Sequence, residues 1–510
     1  MPPAHGYASL MPNLRTRTHA AHAPSTVRRT ASRATTGTTP TGALSAPPVL
    51  DPSNPDLWGI WRDVQRTVLP NGVRVSTARL PHGGSVSLTV GIEVGSRHED
   101  AAESGVCHVL EHMVFRGSER WPTSFDLTSS IEGAGGTLDG YTHREATVFH
   151  ARLPRASMAH ALAVIFDMVR HPHLREADFV TERDVVLEEV RQDTEAAAVV
   201  AEEALDALIW PGHALNRSPG GTEQTVGAMG INTVARLWRW AYAPSRLIVT
   251  VAGDIDHAGV VGLVASHVEG WEDAVEAPLR EAVPDEPATA MLESRWGEGQ
   301  TAYVYAGVRG VASGDPDRPA LELLSCAVGE LASSRLWADL RDARGLAYDV
   351  GSEVVTYTDT GSMLMWAGVS PRRQSETVAR LVAHVRRASK GLEPEEFERA
   401  RNFVVGELTM SCETSEDMAH WLLWGELAHR RLVAPGLVRS TYERLTVEDV
   451  ARAATRWSHN ALQVSIGGPA PKRGAKLGHL LSATGDGEGP LPRATHPARP
   501  RTLRVRRPQS

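Results

Sequence analysis

His108-Val-Leu-Glu111-His112 is the segment of this 510-residue chain best equipped for chemistry. Two imidazoles four residues apart on a helix stand about 40° from each other around its axis, so both can face one cation. Glu111 falls about 60° to the other side of His108, near such an ion without competing for the imidazole positions. Two neutral nitrogens to bind zinc, with a carboxylate beside them to take a proton from water, are the parts of a hydrolytic metal site. A solvated helix face can carry the same pattern by chance. Here Met113, Val114 and Phe115 follow at once, so the helix is partly buried, and burying this set with no ion would be costly.

Two nitrogens leave zinc one protein ligand short. The helical pattern over 176–194 carries Glu182, Glu188 and Glu189. Residues seven apart return to within about 20° on a helix, so Glu182 and Glu189 point together, with Val185 and Val186 flanking and burying that line. Glu188 points about 100° away, toward solvent. Geometry therefore selects Glu189, or Glu182, over Glu188.

The elements that must position these groups follow from patterning. Thr67 to Val75, with Asn71-Gly72 inside, reads as a β-hairpin. Ser87 to Glu93 alternates as a strand, helical patterns follow at 105–116, 123–133, 156–170, 176–194 and 198–209, and Leu247 to Asp254 reads as a buried strand. A second, fainter copy lies further on: Leu174, Phe179, Val186 and Glu189 are matched by Leu392, Phe397, Val404 and Glu407, all at an offset of 218. The expected fold class is α+β, two homologous α/β-sandwich domains from an internal duplication. Their expected limits are 61–272 and 294–468, joined by a linker over 273–293. Residues 1–60 and 469–510 are expected to be disordered basic extensions.

Together these residues resemble the pitrilysin/insulinase family of zinc peptidases, the inverzincins, over roughly residues 62–468. The resemblance implies that Glu189 is the third ligand, that Glu182 supports the site, and that Glu111 is the catalytic base. Gly117-Ser118, Gly135-Gly136, Glu182-Arg-Asp-Val185, Pro244 and Gly253-Asp254 fit the same family. In the second half, Ser333-Ser-Arg-Leu336 and Leu340-Arg341-Asp-Ala-Arg-Gly345-Leu-Ala-Tyr348 look like its second-domain signature. There the resemblance implies that Arg341 pairs with a substrate carbonyl and Tyr348 donates to the tetrahedral oxyanion. It further implies one zinc per chain, since the second copy has no such motif, and a chamber between the halves. In that chamber an extended peptide would add a strand to the edge near 137–149. The expected activity is an endopeptidase acting on peptides or leader segments, as a homodimer or with a related subunit. A catalytically silent scaffold of the same fold and a mitochondrial processing subunit are the alternatives.

This sequence also departs from the family. Asp139-Gly140 stands where Asn-Ala is usual, exchanging a donor–acceptor for an anion, with either a preference for a cationic residue in the peptide or an altered pH range of the site as the expected result. Cys107 replaces a small residue and is read as packing. His143, His171 and His173 have no partner at helical ligand spacing and are read as surface or loop histidines.

Composition limits the partners. Residues 1–50 hold five arginines and no acid, and 471–510 hold nine Lys/Arg against two acids. The formal charge of −8 thus leaves the body over 51–470 near −20, which repels nucleic acid and suits a basic peptide. No run of apolar residues is long enough to span a membrane. Three widely spaced cysteines argue against a disulfide framework. The expected location is a bacterial cytoplasm. The Arg-rich, acid-free start makes the mitochondrial matrix the alternative.

Overall fold

The computed structural model describes residues 61–471 apart from 62, 274–280, 286 and 288. The extension expected over 1–60 lies outside the described residues, as does all but the start of the tail expected over 469–510. The first half contains β1 (Val64–Val68), β2 (Arg74–Arg79), β3 (Ser85–Ile92), α1 (Val106–Val114), α2 (Ser124–Gly133), β4 (Thr137–Thr142) and β5 (Thr147–Pro154). It continues through α3 (Met158–Arg170), α4 (Glu176–Glu195), α5 (Ala197–Ile209), α6 (Glu223–Ala228), α7 (Ile231–Ala241), β6 (Leu247–Gly253) and α8 (His257–Val268). The second half opens with β7 (Met291–Trp296), which begins inside the stretch expected to be linker, then β8 (Ala302–Arg309) and α9 (Arg318–Ser325). Two π-helical turns, Cys326–Glu330 and Trp337–Ala343, lead to β9 (Ala347–Thr356) and β10 (Gly361–Val369). Helices α10 (Gln374–Ala388), α11 (Pro394–Met410), α12 (Ser415–His429), α13 (Pro435–Arg444) and α14 (Val447–Trp457) precede β11 (Gln463–Gly468).

The duplication is visible in strand order. One sheet runs β1-β2-β6-β3-β5-β4 and the other β7-β11-β8-β10-β9. Each contains one parallel pair, β2 with β6 and β7 with β11, and every other pairing is antiparallel. From the parallel pair outward, five strands therefore correspond one to one. The matched Leu, Phe, Val and Glu residues lie at and along α4 and α11, whose Phe179, Val186, Phe397 and Val404 are all buried.

The five helical patterns expected in the first half fall on α1 to α5. Helix α5, however, lies against β11, β8 and β7 of the other sheet, and α12 returns the exchange by covering β6, β3 and β2. Close approach makes this possible. A Cβ on Gly467 would meet the Ala197 carbonyl oxygen at 2.4 Å, and one on Gly91 would meet Leu423 at 2.5 Å. The two sandwiches thus share helices rather than standing apart, which the expected limit at 272 did not anticipate. No helix among the described residues is long and apolar enough to cross a membrane.

Candidate metal centre

Helix α1 starts at Gly105, whose φ of 94° is the left-handed conformation that glycine tolerates. The position is also cramped, since a Cβ there would meet the Gly220 carbonyl oxygen at 2.8 Å. The Glu99 carboxylate then takes the Gly105 and Cys107 amides, each at 2.8 Å, so two donors of the first turn are satisfied by one side chain. Burial pushes the Glu99 carboxyl up to about 7 against these bonds. Val106, Cys107, Val109, Leu110, Met113 and Val114 are buried, which turns the other face of α1 toward α4 and β4. Cys107 is a buried free thiol within the core, as its packing reading expected.

His108, His112 and Glu189 each offer one ligand atom, all within 4.8 Å of one another, and they form the one such group found among the described residues. The two Nε2 atoms are 3.2 Å apart. Glu189 Oε2 lies 3.6 Å from His108 Nε2 and 3.7 Å from His112 Nε2. Two ligands each about 2.0–2.1 Å from a tetrahedral zinc stand about 3.3 Å apart, so this donor set has the right chemistry and size. Glu182 occupies the other side of His112, with Oε2 3.0 Å from Nδ1. A proton held on Nδ1 by that carboxylate leaves the Nε2 lone pair facing the cluster. Arg116 in turn holds Glu182 at 3.0 Å. Geometry thus separates the two acids left open by spacing, with Glu189 at the ligand edge and Glu182 behind the imidazole. Glu188 is exposed and pairs with Arg191 at 3.5 Å. Val185, expected to help bury this line, is 43% exposed; Phe179, Val186 and Val190 do the burying.

The two imidazoles are shifted in opposite directions. Burial, with His112 nearby, pushes His108 down to about 3. Burial also pulls on His112, but its bond to Glu182 and the charges of Glu111 and Glu189 outweigh that and raise it. His108 Nδ1 is buried with no hydrogen-bond partner. Metal ligation takes the neutral imidazole, the form that burial favours at His108.

Glu111 is 7% exposed, and its Oε2 accepts the Thr142 hydroxyl at 2.8 Å. Burial pushes it up to about 7; His112 and Thr142 pull the other way, and Asp139 and Glu189 add to the rise. A base near neutrality is what proton transfer from water needs. Thr142, Glu99 and Arg116 were not singled out from sequence. Alternation along β4 carries the signal for Thr142, which shares the α1-facing side of the strand with Leu138 and Gly140. Asp139 is exposed on this edge strand and takes the Gly140 amide at 2.8 Å.

Arg341 and Tyr348 meet each other, with the guanidinium 4.9 Å from the ring centre, and Tyr348 is 82% exposed. Among the described residues neither bonds to the metal cluster. His171 pairs with Asp167 at 3.3 Å, and His173 is half-buried. His143 lies in the loop between β4 and β5, half-buried, where it packs edge-on against Trp424 of α12 at 5.1 Å, and burial pushes it down to about 3. The offset relating Glu189 to Glu407 carries His108 to Cys326 and His112 to Glu330. Cys326 is a buried thiol raised by burial, and Glu330 accepts the Ser325 hydroxyl.

Comparison with known proteins finds two family models along the chain. The family described as insulinase (peptidase family M16) matches residues 74–223, and the one described as peptidase M16 inactive domain matches 233–404. An uncharacterized zinc protease of Mycobacterium tuberculosis is 30% identical over 415 residues, covering 79% of this chain and 93% of its own. The beta subunit of the mitochondrial-processing peptidase of Dictyostelium discoideum is 24% identical over 412 residues, 79% of this chain and 88% of its own. In fold, a protease from Helicobacter pylori superposes with a TM-score of 0.74 at 22% identity, over 79% of this chain and 98% of that one. The metal-binding pattern of the first half, its altered repeat in the second, and these matches lead to one assignment: the chain belongs to the insulinase family of zinc peptidases, peptidase family M16.

Proposed function

We propose that this chain is a zinc-dependent endopeptidase that hydrolyses peptides or leader segments, one zinc being held by His108, His112 and Glu189. The observation that carries the reading is the convergence of those three ligand atoms within 4.8 Å beside the buried carboxylate of Glu111. Bound there, zinc would supply a Lewis acid for the scissile carbonyl and acidify its water. Glu111, oriented by Thr142, takes the proton from the attacking water and returns it to the leaving amine. Glu182 keeps His112 in the tautomer whose Nε2 is free. The peptide pairs with the edge of β4, where Asp139 favours a basic side chain. Arg341 holds a peptide carbonyl from the second half, and Tyr348 donates to the oxyanion.

Both the metal set and the Arg/Tyr pair lie in one chain, so it needs no partner to complete the site, whether it works as a homodimer or with a related subunit in a bacterial cytoplasm. The second reading, a catalytically silent subunit, draws on the inactive-domain match. That match covers 233–404, which excludes the two histidines.

The test is turnover of a random peptide library by the purified chain, with and without a chelator, alongside Glu111→Gln. Chelator-sensitive cleavage is expected, and Glu111→Gln should keep its metal while losing at least about a hundredfold in rate. Full activity in that variant removes Glu111 as the base. No cleavage by the metal-loaded chain leaves the silent reading.

A further inference from the structure

We propose that Trp337 is a positioning residue for peptide binding: it is the anchored member of a cluster in which the Arg341 guanidinium lies over both the Trp337 and the Tyr348 rings. The proposal rests on the peptidase reading above, in which Arg341 faces the peptide. The Arg341 guanidinium carbon lies 4.1 Å from the Trp337 ring centre and 4.9 Å from that of Tyr348. Both are within cation–π range, and Trp is the strongest partner for it.

The members of the cluster differ in how they are anchored. Trp337 is half-buried and packs against the second half's core, and its amide donates to the Ser334 hydroxyl at 3.3 Å. Tyr348, at the other end, is 82% exposed. An exposed ring and a long flexible cation have little to fix them unless a neighbour is fixed.

The backbone is shaped for this arrangement. Trp337 to Ala343 form a π-helical turn, whose wider winding brings side chains four apart close to the same line, and such turns recur at functional sites. The opposite side of the turn is nailed down by Asp339, whose buried carboxylate receives Arg380 and Arg344 and lies 2.9 Å from His384 Nε2. The chain then folds back at Gly345, at a φ of 56° that suits glycine. Its amide bonds the Arg341 carbonyl at 3.0 Å, and Tyr348 follows at the start of β9. Arg341 carries its N–H donors in the guanidinium plane, where a carbonyl can meet them.

The experiment compares Trp337→Leu, which keeps apolar bulk without a π face, with Trp337→Phe, which keeps a face, and each with and without Arg341→Ala. Peptide turnover is read as separate kcat and KM, and peptide affinity is read in a Glu111→Gln background that needs no catalysis. Trp337→Leu is expected to weaken peptide binding about tenfold, with Trp337→Phe recovering most of it. In the Arg341→Ala background Trp337→Leu should add little, because the indole acts through the guanidinium. Equal additive losses in both backgrounds, or unchanged affinity in Trp337→Leu, overturn the proposal. A wild-type chain that binds peptide without cleaving it sinks the hydrolase reading, while the cluster is still judged by affinity. A chain that neither binds nor cleaves overturns both.

Discussion

Thr250, in the middle of the first half's sheet, donates its hydroxyl to the carbonyl of Ala419, on a helix of the second half, at 2.7 Å. The duplication repeats the contact in reverse, where Ser465 of β11 donates to the carbonyl of Ala201 on α5. Each sheet is thus covered by a helix that belongs in sequence to the other copy. Thr250 has spent its proton on Ala419, so the Thr89 hydroxyl 2.7 Å away must donate to Thr250. In Thr250→Val that buried hydroxyl loses its acceptor and the brace is gone. A loss of about 1–3 kcal/mol in denaturant unfolding is expected. Because the halves share helices, both should unfold in one transition. Two separate transitions, followed by tryptophan fluorescence and circular dichroism, would show that the exchange contributes little.

What was legible beforehand divides along physical lines. Local periodicity placed α1 to α5, because amphipathic spacing is written into neighbouring residues. The offset between Glu189 and Glu407 disclosed the repeat. The exchange of α5 and α12 left no such mark, since Ala201 and Ala419 are ordinary helix residues and only the fold brings a sheet hydroxyl to each. The same limit explains why spacing alone left Glu182 and Glu189 open. They share a helix face, and the choice depends on where His112 stands between α1 and α4. Val185 shows the cost of reading burial from flanking position, because α4 turns it outward to 43% exposure.

Glu189 and Glu188 are adjacent in sequence and opposite in circumstance. Glu189 lies 3.6 Å from His108 Nε2, while Glu188 meets Arg191 on the exposed face. Glu189→Ala should therefore lose zinc affinity by more than the roughly hundredfold that a supporting residue commands, and Glu188→Ala should bind zinc as the wild type does. Equilibrium dialysis with zinc reads both. Equal affinities in the two variants would mean that the wrong glutamate has been placed at the metal.

Glu182 is asked for a smaller effect. Its carboxylate fixes the His112 proton on Nδ1 and is itself fixed by Arg116. Glu182→Gln can still accept from Nδ1 through its amide oxygen but lacks the charge, whereas Glu182→Ala leaves His112 Nδ1 without that acceptor and Arg116 with Asp178 alone. Zinc affinity is expected to fall about 10-fold or less in the first and about 10–100-fold in the second. If the glutamine variant proves the weaker binder of the two, Glu182 does not act by orienting the imidazole.

Asp339 gives the pH prediction, remote from the metal ligands. Burial alone would raise its carboxyl, but hydrogen bonds from His384, Arg380 and Arg344 outweigh that and hold it down at about 2. A group whose folded value lies below its unfolded one stabilises the protein above the unfolded value and loses that contribution as pH falls through the folded one. The contribution should thus be complete above about pH 5 and largely gone near pH 2, with a size of about 2 kcal/mol. Asp339→Asn removes it at all pH values. Wild type and variant should therefore differ most in urea stability near pH 5–6 and converge as the solution is acidified. Breaking the buried pairing also strips the π-helical turn of its anchor, so the variant should lose peptide affinity through Arg341 even at a temperature where it is fully folded. A stability gap that stays constant from pH 6 to pH 3 would mean that the Asp339 charge is not what holds this turn against α10.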